Sequence, residues 1–219
     1  MSSLSINAAP TLLPPAQVEA LRGIAVSHLS DNLQRLSGMG RLRRFHRSAR
    51  LAGTAFTVKV RPGDNLLIYK ALTMMSPGHV LVIDGAGDAT NALVGELILR
   101  YAQRHGCACF VIDGAVRDTA AFLESDFPCY ARTSIHRGPY KAGPGAINVP
   151  VAIDGQVVAP GDAIVGDEDG VLCFPAADAA ALIAAAHRSA AFEAEIKAEI
   201  ANGQREQSWL TRMLQTHGL

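Results

Sequence analysis

The sequence predicts an α/β fold, a single domain with a central sheet flanked by helices. Residues 80–84 and 107–113 are apolar runs rich in Val and Ile, and each stops at Asp-Gly. Apolar runs of that length, broken by Gly and joined by a helical pattern, have the signature of buried parallel strands. The string VIDGA stands at 82–86 and again at 111–115, so the centre of the chain reads as two successive βα units. Two copies are too few for a solenoid.

Along the chain, residues 1–15 read as a flexible N-terminal arm ended by Pro14-Pro15, residues 16–203 as the globular domain, and 204–219 as a C-terminal tail. Pro15 suits the first turn of a helix running to about Ser27, and Ser30 or Asp31 caps a second short helix that Gly38 and Gly40 end. Leu51–Val60 alternates late in its run and reads as a strand. Asp64 or Asn65 caps a helix to about Met75, and Ser76-Pro77-Gly78 turns the chain into the central stretch. There the sequence reads as strand, glycine-rich turn, helix from Gly95, strand, turn and a further helix. Residues 129–133 form a short strand, and 146–174 a set of short strands turning at Asp154-Gly155, Pro160-Gly161-Asp162 and Asp169-Gly170. Residues 177–201 form an Ala-rich helix stopped by Asn202-Gly203. The tail carries Trp209, Leu210, Met213 and Leu214 at helical spacing, for packing on its own core or on a neighbouring subunit.

Nearly half of the residues are apolar (49%) and 18% are charged, which fits a compact domain. Lys plus Arg and Asp plus Glu balance at 20 each, so no global field draws nucleic acid or an anionic membrane. The RLRRFHR run at 41–47 is the one basic cluster; it reads first as a solvated surface loop and second as a patch for RNA or another anionic partner. The four cysteines have no CxxC spacing and read as buried reduced thiols, with Cys107 and Cys109 on one face of a strand. The start has no basic and apolar leader pattern, and no run is long enough to cross a bilayer. The expectation is a cytoplasmic protein without nucleic-acid or membrane partners.

The candidate site is the crevice at the carboxyl ends of the two central strands, where open α/β sheets gather ligands. Arg117-Asp118 follows the second strand, and Glu96 precedes Arg117 with 20 residues between them. An Arg-Asp pair there can be an ion pair with a helix-capping Asp. The alternative is functional. The free amides of Gly95, Glu96 and Leu97 at a helix start attract a carboxylate. Arg117 adds a planar fork for the same group, and Asp118 a hard oxygen suited to Mg²⁺ or Mn²⁺. Together these describe a site for a 2-oxo acid. Several other chemistries are excluded. GAG at 85–87 lacks the third glycine of a dinucleotide loop, since Thr90 occupies its place. No GxSxG stands in the chain and no Lys has a Schiff-base context. The acidic DEDG at 167–170 lacks a twelve-residue calcium loop and reads as a hairpin tip.

Five segments taken in order, GDNLLIYKAL (63–72), IDGAGDATNALVGEL (83–97), IDGAVRD (112–118), YARTSIHRGPYKAGPGAINVPV (130–151) and VVAPGDAIVGDEDGVLCFP (157–175), resemble one family. It is that of the class II pyruvate aldolases acting on 4-hydroxy-4-methyl-2-oxoglutarate, with the related RraA-like proteins. The resemblance spans about residues 20–203 and implies an α/β domain with a swivelling β/β/α-type core, assembled as a homotrimer or homohexamer. It implies a divalent-metal site (Mg²⁺ or Mn²⁺) held by Asp118 near a subunit boundary, with Arg117 on the substrate carboxylate and the amides of Gly95, Glu96 and Leu97 around pyruvate. Glu96 stands where the aldolases carry Asp and RraA-type regulators typically carry Gly. A Glu from a neighbouring subunit's C-terminal helix matches Glu193 best and Glu195 second.

The implied reaction is cleavage of 4-hydroxy-4-methyl-2-oxoglutarate or 4-carboxy-4-hydroxy-2-oxoadipate, intermediates of aromatic compound degradation, through a metal-stabilised pyruvate enolate, with oxaloacetate decarboxylation on the side. Two rivals stand beside it. One is a non-enzymatic RraA-type regulator of an RNA-degrading endonuclease. The other is an aldolase or decarboxylase for a different 2-oxo acid, whose far end His136, Arg137 and Lys141 could read. A methyltransferase reading finds no S-adenosylmethionine glycine motif with a strand-end acid.

Overall fold

The computed structural model describes residues 4–48 and 50–219. The chain runs β1 (Ser5–Ile6), α1 (Pro15–Gly23), α2 (Val26–Asn32), β2 (Arg43–Arg44), β3 (Leu51–Val60), α3 (Leu66–Leu72), β4 (His79–Val94), α4 (Glu96–Arg104), β5 (Cys109–Val116) and α5 (Thr119–Ser125). It continues through β6 (Cys129–Ser134), β7 (Gly145–Ile147), β8 (Val151–Ile153), β9 (Gln156–Val158), β10 (Ala163–Gly166), β11 (Val171–Phe174), α6 (Ala179–Ala201) and α7 (Ser208–Thr216). Strands β3, β4, β5 and β6 lie side by side and parallel; for β4 and β5 this is what the two apolar runs predict. β7 and β1 extend the sheet on one side and β2 on the other, while the β10–β11 hairpin pairs with the first half of β3. This is the α/β architecture with a central sheet and flanking helices that the sequence predicts.

Burial on both faces explains the near-continuous apolar character of the central strands. Ile83 and Ile112 point with Phe56 and Phe110 into a core closed by α3, α4 and α5. Val82 and Val111 point the other way, with Tyr130, onto the β8–β9 ribbon. A third core joins α1, α2 and α6 to β10 and β11. Among the described residues no helix is long and apolar enough to cross a membrane.

Several local expectations change. The helix starting at Pro15 stops at Gly23, and α2 begins at Val26, because the buried Asp167 carboxylate accepts the Val26 N–H (2.8 Å) and sets a new helix start there. That bond also assigns the DEDG tip to structure. The glycine-rich turn after the first central strand lies inside β4, which continues to Val94 through bulges opposite β5. Ala86 (φ +57°) and Gly87 (φ +70°) bend the chain, and the Leu93 side chain occupies the space that Gly85 and Gly114 leave open. The basic run is not wholly loop: Arg43 and Arg44 form an edge strand on β6, and Arg41 pairs with Asp154 (2.6 Å). Cys107 precedes its strand, so its side chain and that of Cys109 enter different cores; all four thiols are free and buried.

Residues 4–14, expected as a loose arm, are tied down. β1 pairs with β7, and the Leu13 N–H donates to Thr54 Oγ1 (2.8 Å). Asn148 donates to Ala8 O (2.9 Å), and Asn7 to Asn148 O (2.9 Å). At the other end, α7 has no buried residue and exposes Met213 and Leu214, while Phe192 and Ile200 are exposed on α6.

Candidate active site

Parallel pairing brings Val94 opposite Val116, so the turns that leave β4 and β5 lie side by side at the carboxyl edge of the sheet. The Arg117 N–H donates to Val94 O (2.9 Å) and fixes their relative height. Asp118 then adopts the left-handed conformation (φ +56°), which Asp tolerates better than most residues. It occupies the N-cap position of α5, yet its side chain makes no cap hydrogen bond there. Its Oδ2 instead accepts the Glu96 N–H (3.0 Å) at the start of α4 and lies 3.6 Å from Arg117 Nε. The simple capping reading of Asp118 is therefore replaced: its carboxylate binds across the crevice.

Gly95 is what makes this closeness possible. A Cβ there would stand 2.5 Å from Asp118 Oδ2, 2.9 Å from Arg117 Cγ and 3.1 Å from Arg117 Nε. Its φ of −145° is ordinary extended backbone, so space alone requires glycine. Gly138 meets Arg117 in a similar way, since a Cβ there would stand 2.9 Å from Nη1.

Two cavities flank Arg117. An open one of about 430 Å³ is lined by Arg117, Asp118, Thr119, Ser134, Ile135 and His136. A narrower one of about 150 Å³ lies between Asn65, Tyr69, residues 92–95, Leu97, Ile98, Arg117, Pro139 and Lys141. The 135–141 loop stays over them through the Asn91 amide on Gly138 O (2.6 Å) and the Ala92 N–H on Arg137 O (2.8 Å). Of the loop residues singled out in the sequence, His136 borders the open cavity and Lys141 the narrow one, whereas Arg137 contributes a backbone carbonyl.

The structure thus brings together Gly95, Glu96, Leu97, Arg117 and Asp118. Two expectations change in detail. The Glu96 amide is not free for an anion, because Asp118 takes it. The Glu96 carboxylate turns back along its own helix to Arg100 (2.7 Å to Nε, 2.6 Å to Nη2), a reach that the longer arm of Glu allows. Glu193 and Glu195 sit on α6, which packs on α1 and α2. Glu193 contacts His28 (3.0 Å) and Lys197 (2.6 Å), and the bond to Lys197 holds its carboxyl below the usual range. It is not brought to the crevice of its own chain.

Sequence reading took Asp64 and Asn65 only as helix caps. Asp64 is buried and accepts the N–H groups of Leu66 (3.0 Å), Ala142 (2.6 Å) and Gly143 (3.0 Å). Burial works to raise its pKa, but these bonds together with the Arg61 charge lower it. It ties the start of α3 to the loop carrying Pro139 and Lys141. A second unforeseen network lies on the opposite face of the sheet, where Arg132 bonds Asp113 and reaches Asp154 (3.4 Å). Both networks join residues far apart in sequence, and no local pattern announces them.

Among the described residues no group of three or more His, Cys, Asp or Glu forms a metal cage. The Asp118 carboxylate is partly exposed beside the open cavity, and only its Oδ2 is engaged by the described residues. One available hard oxygen at an open, polar cavity fits a divalent ion that keeps several waters and takes further oxygens from a ligand.

Residues 26–173 match the RraA-like family, described as Aldolase/RraA. A Halalkalibacterium halodurans protein provisionally named 4-hydroxy-4-methyl-2-oxoglutarate aldolase is 40% identical over 159 residues, 72% of this chain and 76% of its own. The Thermus thermophilus protein named 4-hydroxy-4-methyl-2-oxoglutarate aldolase is 38% identical, over 58% of this chain and 77% of its own. Among solved structures, the RNA-processing inhibitor RraA of Thermus thermophilus superposes with a TM-score of 0.64 at 34% identity, covering 69% of this chain and 92% of that one. Streptomyces coelicolor RraAS2, described as an unusual member of the RNase ES inhibitor RraA family, gives 0.73 at 26%, covering 86% and 96%.

Proposed function

Because this chain belongs to the RraA-like (Aldolase/RraA) family, we propose that its crevice is the active site of a carbon–carbon lyase. The reaction is divalent-metal-dependent cleavage of 4-hydroxy-4-methyl-2-oxoglutarate, or of 4-carboxy-4-hydroxy-2-oxoadipate, to pyruvate, with oxaloacetate decarboxylation as a side activity. The observation that carries this reading is the convergence of Arg117, Asp118 and Gly95 at the carboxyl ends of β4 and β5.

In this reading the Arg117 guanidinium holds the 2-oxo acid's carboxylate, with the Gly95 and Leu97 amides beside it. Cleavage breaks the C3–C4 bond: the C4 hydroxyl loses its proton, C4 becomes a carbonyl, and the bonding electrons pass into a pyruvate enolate that is protonated at C3. Asp118 is the residue that would hold Mg²⁺ or Mn²⁺, which supplies Lewis-acid stabilisation of the enolate's negative charge. Glu96, at the rim, and Glu193 from a neighbouring subunit are the acids that hold protons near C4 and C3. A homotrimer or homohexamer fits this reading, because Glu193 has no access to the crevice of its own chain. Exposed Phe192 and Ile200 on α6 and Met213 and Leu214 on α7 supply apolar surface for assembly.

The test is pyruvate release, coupled to lactate dehydrogenase, from 4-hydroxy-4-methyl-2-oxoglutarate and from oxaloacetate, each with Mg²⁺ and again with EDTA. Metal-dependent pyruvate from both supports the lyase. Silence on both from folded protein favours the regulator instead, a reading that rests on the likeness to the RNA-processing inhibitors.

A further inference from the structure

The loop carrying His136 is held by both central strands. The Ile135 N–H donates to Val116 O at the end of β5 (2.9 Å), and the Arg137 carbonyl accepts the Ala92 N–H of β4 (2.8 Å). Because Val116 directly precedes Arg117, the backbone on either side of His136 is fixed relative to the guanidinium. The His136 side chain is exposed and borders the open cavity beside Arg117. It makes no hydrogen bond, ion pair or ring contact among the described residues, and the Ser134 and Thr119 side chains that border the same cavity make none either. Three side chains able to donate are therefore gathered round one cavity with their donors uncommitted.

The pyruvate half of a 4-hydroxy-2-oxo acid is already provided for. Arg117, Gly95 and Leu97, which hold it in the lyase reading, all border the narrow cavity, whose volume is about 150 Å³. The half beyond the scissile C3–C4 bond then extends into the open cavity of about 430 Å³, which Asp118 also borders. In 4-hydroxy-4-methyl-2-oxoglutarate that half ends in a second carboxylate, which must exchange water for other donors. Arg117 is engaged by the first carboxylate, and of the other residues bordering the open cavity only His136 can carry positive charge. Its ring donates one N–H when neutral and a second when protonated.

We propose that His136 is a specificity-determining residue that binds the carboxylate beyond the scissile bond, with the Ser134 and Thr119 hydroxyls as further donors, so that the open cavity selects 2-oxo diacids over monoacids. This rests on the lyase reading for the reaction. After cleavage that carboxylate belongs to the 2-oxo acid formed from C4, so the same contact holds the second product. His136 transfers no proton in this role. A loop that only covers the crevice would serve diacid and monoacid alike and give no preference.

The experiment compares kcat/KM for cleavage of 4-hydroxy-4-methyl-2-oxoglutarate and of 4-hydroxy-2-oxopentanoate, which has hydrogen in place of the distal carboxylate. Both are read as pyruvate release with Mg²⁺ present, counted per bond cleaved, in wild type, His136→Ala and His136→Asp, with thermal melting to verify folding. Wild type is expected to prefer the diacid. His136→Ala is expected to lower that preference by about 10- to 100-fold, the loss falling mainly on KM for the diacid, and His136→Asp, which sets a negative charge against the carboxylate, to lower it further. The Asp variant carries the comparison if the Ala variant does not fold. A preference that persists unchanged in a folded variant, or that wild type lacks, overturns the proposal while leaving the lyase reading intact. If wild type cleaves neither substrate, the lyase reading fails and His136 is judged by calorimetric titration with 2-oxoglutarate and 2-oxobutanoate in Mg²⁺. Tighter binding of the diacid, lost in His136→Ala, then sustains the proposal; equal binding, or none, overturns it.

Discussion

The sharpest consequence of the crevice geometry concerns Gly95→Ala, a change of one methyl group. The backbone accepts it, because φ −145° suits alanine, so conformational strain contributes nothing. The new Cβ would nevertheless stand 2.5 Å from Asp118 Oδ2 and 2.9 Å from Arg117 Cγ, against a comfortable separation of about 3.5–4.0 Å between carbon atoms. Asp118 and Arg117 must therefore retreat by roughly 1 Å, and such a misplacement in an active site can cost about 100-fold. Both side chains are partly exposed (44% and 39%), so they can swing toward solvent without opening a hole in the core. The expected result is kcat/KM for pyruvate release down about 100-fold, equivalent to ~2.7 kcal/mol of transition-state stabilisation. The melting temperature should move by no more than about 2–4 °C, the shift that ~1 kcal/mol produces in a domain of this size. Full activity in a folded Gly95→Ala enzyme would refute the placement of Arg117 and Asp118 at the reacting centre.

Other consequences can be checked with the same preparations. Asp118→Asn keeps an oxygen for the Glu96 N–H but removes the charge, so the fold should persist while pyruvate release drops to the EDTA background; Mg²⁺-dependent turnover in that variant would contradict the role of Asp118. Asp64→Ala strips the acceptor from three backbone N–H groups and should lower stability by about 2–4 kcal/mol in urea unfolding, whereas a change below about 0.5 kcal/mol would show that the 140–143 loop is held some other way. Burial lowers the His79 pKa below its ordinary 6.5, although carbonyl contacts to Pro10 and Ser76 favour the charged ring. The folded state thus prefers neutral His79, and the stability this gives above pH 6.5 is lost as pH falls through that value toward the folded pKa. Denaturant midpoints at pH values about one unit above and below the ordinary pKa should therefore converge in His79→Gln relative to wild type, and an unaltered difference would count against the assignment.

The parts of the fold legible in the sequence are those governed by local chemistry. Leu51–Val60 reads as a strand because it is apolar and β-branched, and Asp154-Gly155 reads as a hairpin because both residues must take positive φ (+52° and +86°). Arg117, Asp118 and Gly95 are legible as a group because they directly follow two neighbouring parallel strands, and the bulges that absorb the extra residues of β4 bring Val94 level with Val116. What escaped the sequence depends on partners far along the chain. The break after Gly23 is set by Asp167, 141 residues from the N–H it accepts at Val26. Glycine-rich 85–91 looked like a turn, and Leu93 turns it into a bulged continuation of β4 by filling the space above Gly85 and Gly114. Asn65 looked like a cap because Asn often is one, while its bond to Leu93 O exists only once α3 lies against β4.

The conformation of Asp118 supports the proposed active site over a simple helix start. An Asp placed only to cap α5 would adopt an extended conformation and accept an N–H from its own helix. Asp118 instead takes a left-handed conformation that disfavours L residues by about 1–2 kcal/mol. Its single bond to the Glu96 N–H returns an energy of the same order, about 1.5–3 kcal/mol for a charged acceptor. The net contribution to folding is therefore small, and the arrangement does little that a glycine or an ordinary cap could not do for stability. What it provides is a carboxylate locked between two helix starts, with one oxygen held by the protein and the other left beside an open cavity that Arg117 borders. Backbone strain retained for so little stability is characteristic of functional positions. Glu96 fits the same logic, since its backbone fixes Asp118 while its side chain, parked on Arg100, stays near the crevice without competing for Arg117.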